Sequence, residues 1–487
     1  MNLFGIVTIG SLVLYLLVGL YCAKSTNNTE DFYVMGRSCP AYLITGTLIA
    51  TNIGSVTFIG YVGSVYTNGS LPYITMFGAT VTSSLILGLF VGRYIRRMHL
   101  FTVPDFFTMR YPGNEAVKVF STAIVLFTML IYLVAVCQGV NVVLCDIFGL
   151  SQMMSQFIIL SVVTIFTMAG GMKGVVITDT IMFAIFFIAA MLVVPYIIQA
   201  LGGWPEGVAR AAEKLPYAME WNGAFSKSKG FWQHLEVNLA SVVLAFASPQ
   251  LLSRAFIAKS EKAFGQAMIL QAILFPIFIF TLLYFFSWFP AVKTDIAPTS
   301  AFTWVAMTVA PPVIGSIAIA GIAAAALSSA SSMFQQAAAA LSRDIYERYI
   351  NPSADERRKL FISRLSVLLI AIACFIAGSM QKITALGLVY GFLFASAGWA
   401  AWAPSLLLGI FWKRATTKAA VWSMSTGFIS ALTFILGRTW GFTPAWVPPN
   451  LVGVTVATAV FFLVAVSDRT TERELEVYNL MRAPDPD

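Results

Sequence analysis

Charged residues are scarce in this chain. Only 11% of its 487 residues are Asp, Glu, Lys or Arg, whereas 58% are hydrophobic and the mean hydropathy is +0.81. Soluble domains carry roughly 25% charged residues, so this composition excludes an ordinary soluble protein. Cysteine occurs five times, without the spacing of metal ligands, and is predicted to fill small gaps in an apolar core.

Features of soluble multidomain proteins and of enzymes are also lacking. No Gly/Ser-rich or Pro-rich linker divides the chain, so residues 1–487 are predicted to form a single membrane unit. The sequence contains no nucleophile–base pair, metal-ligand cluster or nucleotide-binding loop, and we therefore do not expect an enzyme.

Long apolar runs fill most of the sequence. A membrane-spanning helix needs about 20 such residues, which predicts an all-α integral membrane protein with thirteen transmembrane helices. The first run is too long for a cleaved signal peptide, and we interpret it as a retained span. The predicted spans cover residues 3–22, 41–66, 71–92, 119–148, 152–170, 175–200, 233–252, 264–289, 311–341, 361–380, 383–411, 417–437 and 449–466.

The distribution of basic residues predicts the orientation in the membrane. All but seven of the 30 Lys and Arg lie on one side of the predicted topology, which the positive-inside rule places in the cytoplasm. The N-terminus is then outside, residues 467–487 form a cytoplasmic tail, and the net charge of +8 requires no nucleic-acid partner. The seven exceptions are Arg210, Lys214, Lys227, Lys229, Lys293, Lys382 and Arg438.

Two predicted spans contain helix-breaking residues. The second includes ATNIGSVTFIG (residues 50–60), and the seventh ends in AFASPQLLSR (residues 245–254). They lie five spans apart, and an odd displacement reverses orientation, so residues 41–200 and 233–411 are predicted to form two inverted five-helix repeats. Interrupted helices at matching positions of two such halves indicate a transporter binding site. The remaining spans, residues 1–22 and 417–466, are predicted to be peripheral.

A group of serines lies in the apolar ninth span, within GIAAAALSSASS (residues 321–332). Gly, Ala and Ser at this spacing are also typical of a helix-packing face. A break in the second span would leave the carbonyls of Ala50 and Ile53 without helical partners, which is tolerated where the backbone lines a cavity. The functional alternative to packing is a sodium site. Its ligands would be these two carbonyls, the carbonyl of Ala325 and the hydroxyls of Ser328 and Ser329.

Asp179 lies a few residues inside the sixth predicted span. A carboxylate at the centre of a membrane helix costs about 2.5–3.5 kcal/mol on insertion scales and marks a functional site by default. Pairing with Lys173 at the membrane interface is the alternative. The four nearby hydroxyls favour a functional role.

Several motifs, taken in order, resemble the sodium:solute symporter family, which has the leucine-transporter fold. DFYVMGR (residues 31–37) followed by ATNIGSVTFIG is similar to the opening motif of the family. The resemblance extends over most of residues 31–414, at family-like spacing. The further motifs are TVPDFFTMRYP (102–112), GGMKGVVITD (170–179), SPQLLSRAFIAKSEK (248–262), AAAALSSASSMFQQ (323–336) with SRDIY (342–346), and FWKR (411–414).

The resemblance implies a ten-helix core made of spans two to eleven and sodium-driven uptake of a small solute across the plasma membrane. Carried over by motif, it implies one sodium site at Ala50, Ile53, Ala325, Ser328 and Ser329. Some members have an aspartate and two further serines at positions that match Asp179, Ser331 and Ser332. These imply a second sodium ion, or a release path for the first.

The solute is expected near the membrane midplane, among spans two, three, four and seven. In sugar-transporting relatives the positions that match Thr57 and Met76 have long polar side chains, whereas here they are short and apolar, respectively, which argues against a hexose. Ser241 and Ala245 stand where proline-carrying relatives have aromatics, which argues against proline. A monocarboxylate, a pantothenate-like acid or an amino acid remains. The alternatives are a non-transporting membrane sensor or scaffold, a sodium channel, or coupling to protons. The candidate solute contacts are Asn52, Thr57, Met76, Tyr132, Gln138, Ser241 and Ala245.

Overall fold

The computed structural model of the protein describes residues 3–69, 71–215, 238, 242, 246–380, 387–444 and 446–483. This part of the chain is helical throughout, and its one isolated β-bridge joins Cys39 to Ala258. The α-helices are α1 (Leu3–Cys22), α2 (Thr29–Val34), α3 (Ala41–Asn52), α4 (Val62–Asn68), α5 (Leu71–Ile86), α6 (Gly92–Arg97), α7 (Val103–Arg110), α8 (Glu115–Phe148), α9 (Gln152–Ala200), α10 (Trp204–Lys214), α11 (Pro249–Ile257), α12 (Glu261–Trp288), α13 (Ala301–Thr308), α14 (Pro312–Ala339), α15 (Glu356–Ser379), α16 (Gly387–Phe411), α17 (Thr417–Thr439), α18 (Pro449–Ser467) and α19 (Glu472–Leu480).

Ten helices among the described residues are long and apolar enough to cross a membrane, or eleven if the bent pair formed by α3 and the helix after it is one span. This confirms an all-α membrane architecture. The predicted number of thirteen remains a prediction, because most of the predicted seventh span, residues 233–252, lies outside the described residues. Four of the five cysteines are buried, as predicted for residues of an apolar core, and all five are free.

Helix α9 is 49 residues long, which exceeds what one span requires. It breaks at Gly171, whose φ of 55° and ψ of −152° are not helical. The break divides α9 near the boundary between the predicted fifth and sixth spans. Glycine is required there because a Cβ would lie 2.9 Å from the carbonyl oxygen of Phe32, in a backbone conformation that L side chains rarely adopt.

The second predicted span is broken, as the sequence predicts. Helix α3 ends at Asn52, and Ile53 leaves the helical region with φ −98° and ψ 84°. The chain resumes at Val56 as a π-helical turn that continues into α4, and the two halves are bent by 48°. The break exposes backbone carbonyls inside the protein.

Helix α14 is central to the packing. It contacts α9, α8, α1, α15 and α3, and 83% of its most apolar stretch is buried. The serines of α14 therefore face protein rather than lipid. The corresponding buried share is 33% for α1, 33% for α15 and 28% for α18, so burial alone does not separate the predicted peripheral spans from the predicted core, and that division stays a prediction.

One end of the helix bundle is held by buried charges. Lys118 at the start of α8 lies 2.9 Å from Asp105 of α7 and 2.5 Å from Asp344, which follows α14. Helix α19, in the predicted tail, packs against α7, and Glu474 accepts hydrogen bonds from the backbone and hydroxyl of Thr417. The tail is thus a docked element at this end of the bundle.

Candidate functional site

The break after α3 lies directly against the serines of α14. The hydroxyl of Ser328 donates to the carbonyl oxygens of Ala50 and Ala325, each at 2.9 Å. The hydroxyl of Ser329 donates to the carbonyl oxygens of Thr51, at 3.1 Å, and Ala325, at 3.2 Å. Three carbonyls and two hydroxyls from two helices therefore converge at one buried position.

Gly54 allows this close approach. A Cβ at Gly54 would lie 2.8 Å from the hydroxyl oxygen of Ser329 and 4.0 Å from the carbonyl oxygen of Ala325. Ile53, also predicted as a ligand, is the residue at which α3 ends and is fully buried. The structure thus brings Ala50, Ala325, Ser328 and Ser329 together and places Ile53 at the break beside them.

This arrangement suits a small hard cation. Backbone carbonyls can replace the hydration shell of an alkali ion, and hydroxyl groups have lone pairs for the same purpose. The hydroxyls can turn their lone pairs toward an ion by rotating the O–H bonds that now point at the carbonyls. Each of these oxygens is neutral, as expected for a monovalent cation that must also leave.

The second predicted cluster also assembles. Asp179 is fully buried, and its Oδ1 accepts a hydrogen bond from Ser331 at 3.2 Å. Its Oδ2 accepts from Thr47 at 2.6 Å and from Ser332 at 3.4 Å. Asp179, Ser331 and Ser332 therefore lie together as predicted, with Thr47 as an additional member.

A guanidinium group occupies this second cluster. Arg254 of α11 is fully buried, and its Nη2 lies 3.3 Å from Oδ2 of Asp179. The same nitrogen donates to the hydroxyl oxygens of Thr47 at 2.8 Å, Thr51 at 3.0 Å and Ser332 at 2.5 Å. The charge partner of Asp179 is therefore Arg254, and the alternative pairing with Lys173 is wrong.

Arg254 reaches the site because of the local structure of α11. Pro249 begins this short helix, and the backbone after it pairs with the segment before α3 through Cys39, whose N–H donates to Ile257 at 3.0 Å. Sequence reasoning grouped Arg254 with the basic residues of the cytoplasmic side. Two signals could have identified it: a carboxylate at membrane depth needs a counter-charge, and Arg254 follows a proline break.

Three of the candidate solute contacts lie at or beside the break. Thr57 is buried in the π-helical turn, and the buried amide nitrogen of Asn52 has no hydrogen-bond partner within the described parts of the chain. Gln138 is half-buried on α8. It lies between Val136, whose carbonyl accepts from Ser55 at 3.0 Å, and Gly139, which also packs on Ser55.

Tyr132 lies one to two turns before Gln138 and packs edge-on against Phe392 and Trp399. This environment favours packing for Tyr132. The side chain of Met76, on α5, lies outside the described residues, as do Ser241 and Ala245. Their assignment to the solute site stays a prediction.

The sequence pattern of the sodium:solute symporter family matches residues 32–427. The sodium/glucose cotransporter of Vibrio parahaemolyticus is 24% identical over 469 residues, covering 86% of this chain and 82% of the relative. The sodium/proline symporter of Escherichia coli K12 is 24% identical over 467 residues, covering 92% of this chain and 90% of the relative.

Solved structures are similar in fold. A sodium-coupled sialic acid symporter in a substrate-bound, outward-open state superimposes with a TM-score of 0.84 at 18% identity, covering 97% of this chain and 99% of the other. MhsT in complex with L-phenylalanine gives a TM-score of 0.54 at 14% identity, covering 88% and 99%. The shared fold is the leucine-transporter type that the sequence motifs imply.

Proposed function

The chain belongs to the sodium:solute symporter family, and on that premise we propose that it is a secondary active symporter that imports a small organic solute by alternating access. The observation that carries this proposal is the convergence of Ser328 and Ser329 on the carbonyls at the break after α3. Sodium is the proposed coupling ion, held by Ala50, Ile53, Ala325, Ser328 and Ser329.

Coupling follows from the position of these ligands. The ion would bind between α14 and the end of α3, so it would fix the break in one geometry. Asn52 lies within this segment, and its amide nitrogen, which has no hydrogen-bond partner in the described parts of the chain, is available to a solute. An ion that orders the break therefore preorganises the solute site, which makes the binding of ion and solute cooperative.

The membrane potential supplies the direction of transport. Moving one charge across the membrane is worth about 2.3 kcal/mol per 100 mV, before any sodium gradient is added. Because the cell interior is negative, sodium entry is favourable and drives the solute inward. The proposed topology has thirteen spans, with the N-terminus outside and the C-terminus in the cytoplasm.

The proposed solute is a monocarboxylate, a pantothenate-like acid or an amino acid. Asn52 and Thr57 offer few polar groups, which suits a solute with few hydroxyls. The named relatives carry proline and glucose, and proline is itself an amino acid. The argument against proline depends on Ser241 and Ala245, outside the described residues, and it stays a prediction.

Uptake into proteoliposomes tests the proposal. Purified protein is reconstituted, and the entry of labelled solutes is followed with an inward sodium gradient and, in matched vesicles, with potassium. Candidate solutes are first chosen by thermal stabilisation of the purified protein in each cation. A ligand at 100 times its dissociation constant adds about 2.7 kcal/mol to the stability.

We expect a solute that stabilises the protein and enters the vesicles only when sodium is present. Uptake driven equally by a proton gradient without sodium would contradict the coupling ion. Sodium flux that does not need the solute would indicate a channel. Binding without flux of either would indicate a sensor.

A further inference from the structure

The motif FWKR (residues 411–414) has no part in the proposed ion and solute sites, and it lies where two membrane helices meet. Residues 412–416 alone connect α16 to α17. A chain reaches at most about 3.6 Å per residue, so this connection cannot leave the membrane surface by far. It includes two basic residues, Lys413 and Arg414, and no acidic one. Both positive charges are therefore held near the level of the lipid headgroups.

The two cations have no carboxylate beside them. Lys413 and Arg414 are exposed, and in the described part of the chain no ion pair includes either of them. The next basic residue, Lys418, differs because it pairs with Asp468 at 3.3 Å. Adjacent uncompensated cations at a membrane surface attract anionic lipids.

Exposed apolar side chains lie beside these cations. The ring of Trp412 contacts the ring of Phe462 on α18, with centroids 5.0 Å apart. Phe462 is 42% exposed, the neighbouring Leu463 is 72% exposed, and Phe411 is 43% exposed. These three residues belong to predicted spans, and Trp412 has the position of an aromatic residue at the membrane interface. The surface thus offers apolar contacts for acyl chains next to positive charges for a headgroup.

We infer that Lys413 and Arg414 bind the phosphate headgroup of an anionic phospholipid, whose acyl chains contact Phe411, Phe462 and Leu463. A zwitterionic phospholipid has a positive group of its own and gains less from two cations. The inference rests on the proposed membrane topology, and it does not depend on which ion or solute is carried.

The connection also joins several helices at this end of the bundle. The carbonyl of Phe411 accepts a hydrogen bond from the hydroxyl of Tyr478 on α19 at 3.4 Å, and that of Ile410 accepts from Arg482 at 2.7 Å. The ring of Phe411 packs edge-on against Tyr94 of α6, with centroids 5.8 Å apart. A lipid that orders the connection therefore stabilises contacts among α6, α16 and α19, and bound lipid should raise the thermal stability.

Thermal unfolding of the purified full-length protein in detergent tests the inference. Dioleoylphosphatidylglycerol is added in one series and dioleoylphosphatidylcholine in the other. We expect the anionic lipid to raise the midpoint at concentrations where the zwitterionic lipid has little effect. Potassium chloride should weaken the response, because salt screens exposed charges.

The variant Lys413→Gln/Arg414→Gln removes the proposed headgroup contacts. Its half-saturating concentration of phosphatidylglycerol should increase roughly 10-fold to 30-fold, because each basic residue near an anionic surface contributes to binding. Lys413→Arg/Arg414→Lys keeps both charges and should respond as the wild type does. Native mass spectrometry should likewise show fewer phosphatidylglycerol molecules retained by the Gln variant.

Arg357→Gln/Arg358→Gln is the matched control. These adjacent arginines are exposed on the same predicted side of the membrane, in the first turn of α15. The control removes the same amount of charge, but it follows the acidic residues Asp355 and Glu356. Its response to phosphatidylglycerol should equal that of the wild type.

The possible results are distinct. Equal responses of the wild type to the two lipids would overturn the inference, as would an unchanged response in Lys413→Gln/Arg414→Gln. An equal loss in Arg357→Gln/Arg358→Gln would indicate a general charge effect and would also overturn it. Equal stabilisation by inorganic phosphate would indicate a site for a free anion instead of a lipid. Since none of these measurements needs transport, a lack of sodium-dependent uptake would overturn the proposed function alone.

Discussion

Ser328 and Ser329 show how two adjacent residues can serve one position. Both donate to the carbonyl of Ala325 on their own helix, and each reaches a different carbonyl of α3. Alanine and glycine around them keep the helices close enough for these contacts, as in other membrane helix interfaces. Packing and ion binding, the two interpretations of the serine motif, are therefore compatible.

Replacing either serine with alanine should weaken sodium binding. A hydrogen bond or ligand that involves a charged group is worth about 1.5–3 kcal/mol, so we expect a roughly 10-fold to 100-fold increase in the half-saturating sodium concentration. Sodium-dependent uptake in proteoliposomes measures it. Ser316→Ala is the matched control, because Ser316 is a buried serine of α14 that bonds its own helix at Pro312. An unchanged sodium requirement in Ser328→Ala and Ser329→Ala would contradict the assignment.

At the scale of single residues, the sequence identifies site residues whose polarity is unusual for an apolar span. Four hydroxyls and a carboxylate inside apolar spans were recognisable, and the structure places them together. Arg254 was not predicted, because a basic residue near the end of a span resembles any residue that obeys the positive-inside rule. Only the fold shows that α11 turns its arginine inward.

Two helical segments contain irregular backbone at positions where another part of the chain packs closely. Helix α9 bends at Gly171, and the second span is interrupted between Asn52 and Val56. At Gly171 the neighbour is the backbone of Phe32, which cannot move aside as a flexible side chain can. The break thereby fixes where α2 packs on α9.

Gly171→Ala should destabilise the protein. The backbone conformation is unfavourable for alanine by about 1–3 kcal/mol, and a Cβ would overlap the backbone of Phe32. The midpoint of thermal unfolding in detergent, with the amount of protein in the membrane, measures the effect. Gly10→Ala in α1 is the control, because a Cβ there meets no atom within 4 Å. Equal midpoints for the two variants would contradict a strained break.

The helix breaks could be predicted in part. Asn, Gly and Ser in the middle of an apolar run indicated the interruption of the second span, and Pro249 marked the start of α11. The docking of α19 was not predicted. Its polar sequence gives no sign of a partner, and its position depends on Thr417 and on the carbonyls that Arg110 and Arg482 meet.

At the scale of the whole fold, ion pairs among the described residues join helices that are distant in sequence. The Lys118 cluster joins α7, α8 and the segment after α14, and Arg97 pairs with Glu261 between α6 and α12. The side chain of Lys118 is 4% exposed and that of Asp344 is fully buried. Such pairs hold elements together that are far apart in sequence.

Lys118→Met should be strongly destabilising. Removing one partner of a buried ion pair costs about 3–5 kcal/mol, because the remaining charge is left uncompensated. Lys118→Met/Asp344→Asn should recover part of the loss. Lys293→Met, which breaks an exposed pair with Asp295, is expected to cost less than about 1 kcal/mol. Thermal unfolding measures each, and similar losses for Lys118→Met and Lys293→Met would contradict a structural role for the buried cluster.

The membrane class and the family could be predicted because hydropathy and motif order are properties of the sequence as a whole. The identity of the solute could not. It depends on a few side chains whose positions follow from how distant helices meet, and two of the predicted contacts, on the seventh predicted span, lie outside the described residues.

The docking of α19 has a consequence for how the protein can be labelled for purification. Glu474 is buried and accepts a hydrogen bond from the hydroxyl of Thr417 on α17, and Arg482 donates to the carbonyl oxygen of Ile410 on α16. Removing residues 472–482 would leave both of these groups without the partners that α19 and Arg482 supply. An affinity tag therefore belongs after this helix and not in its place.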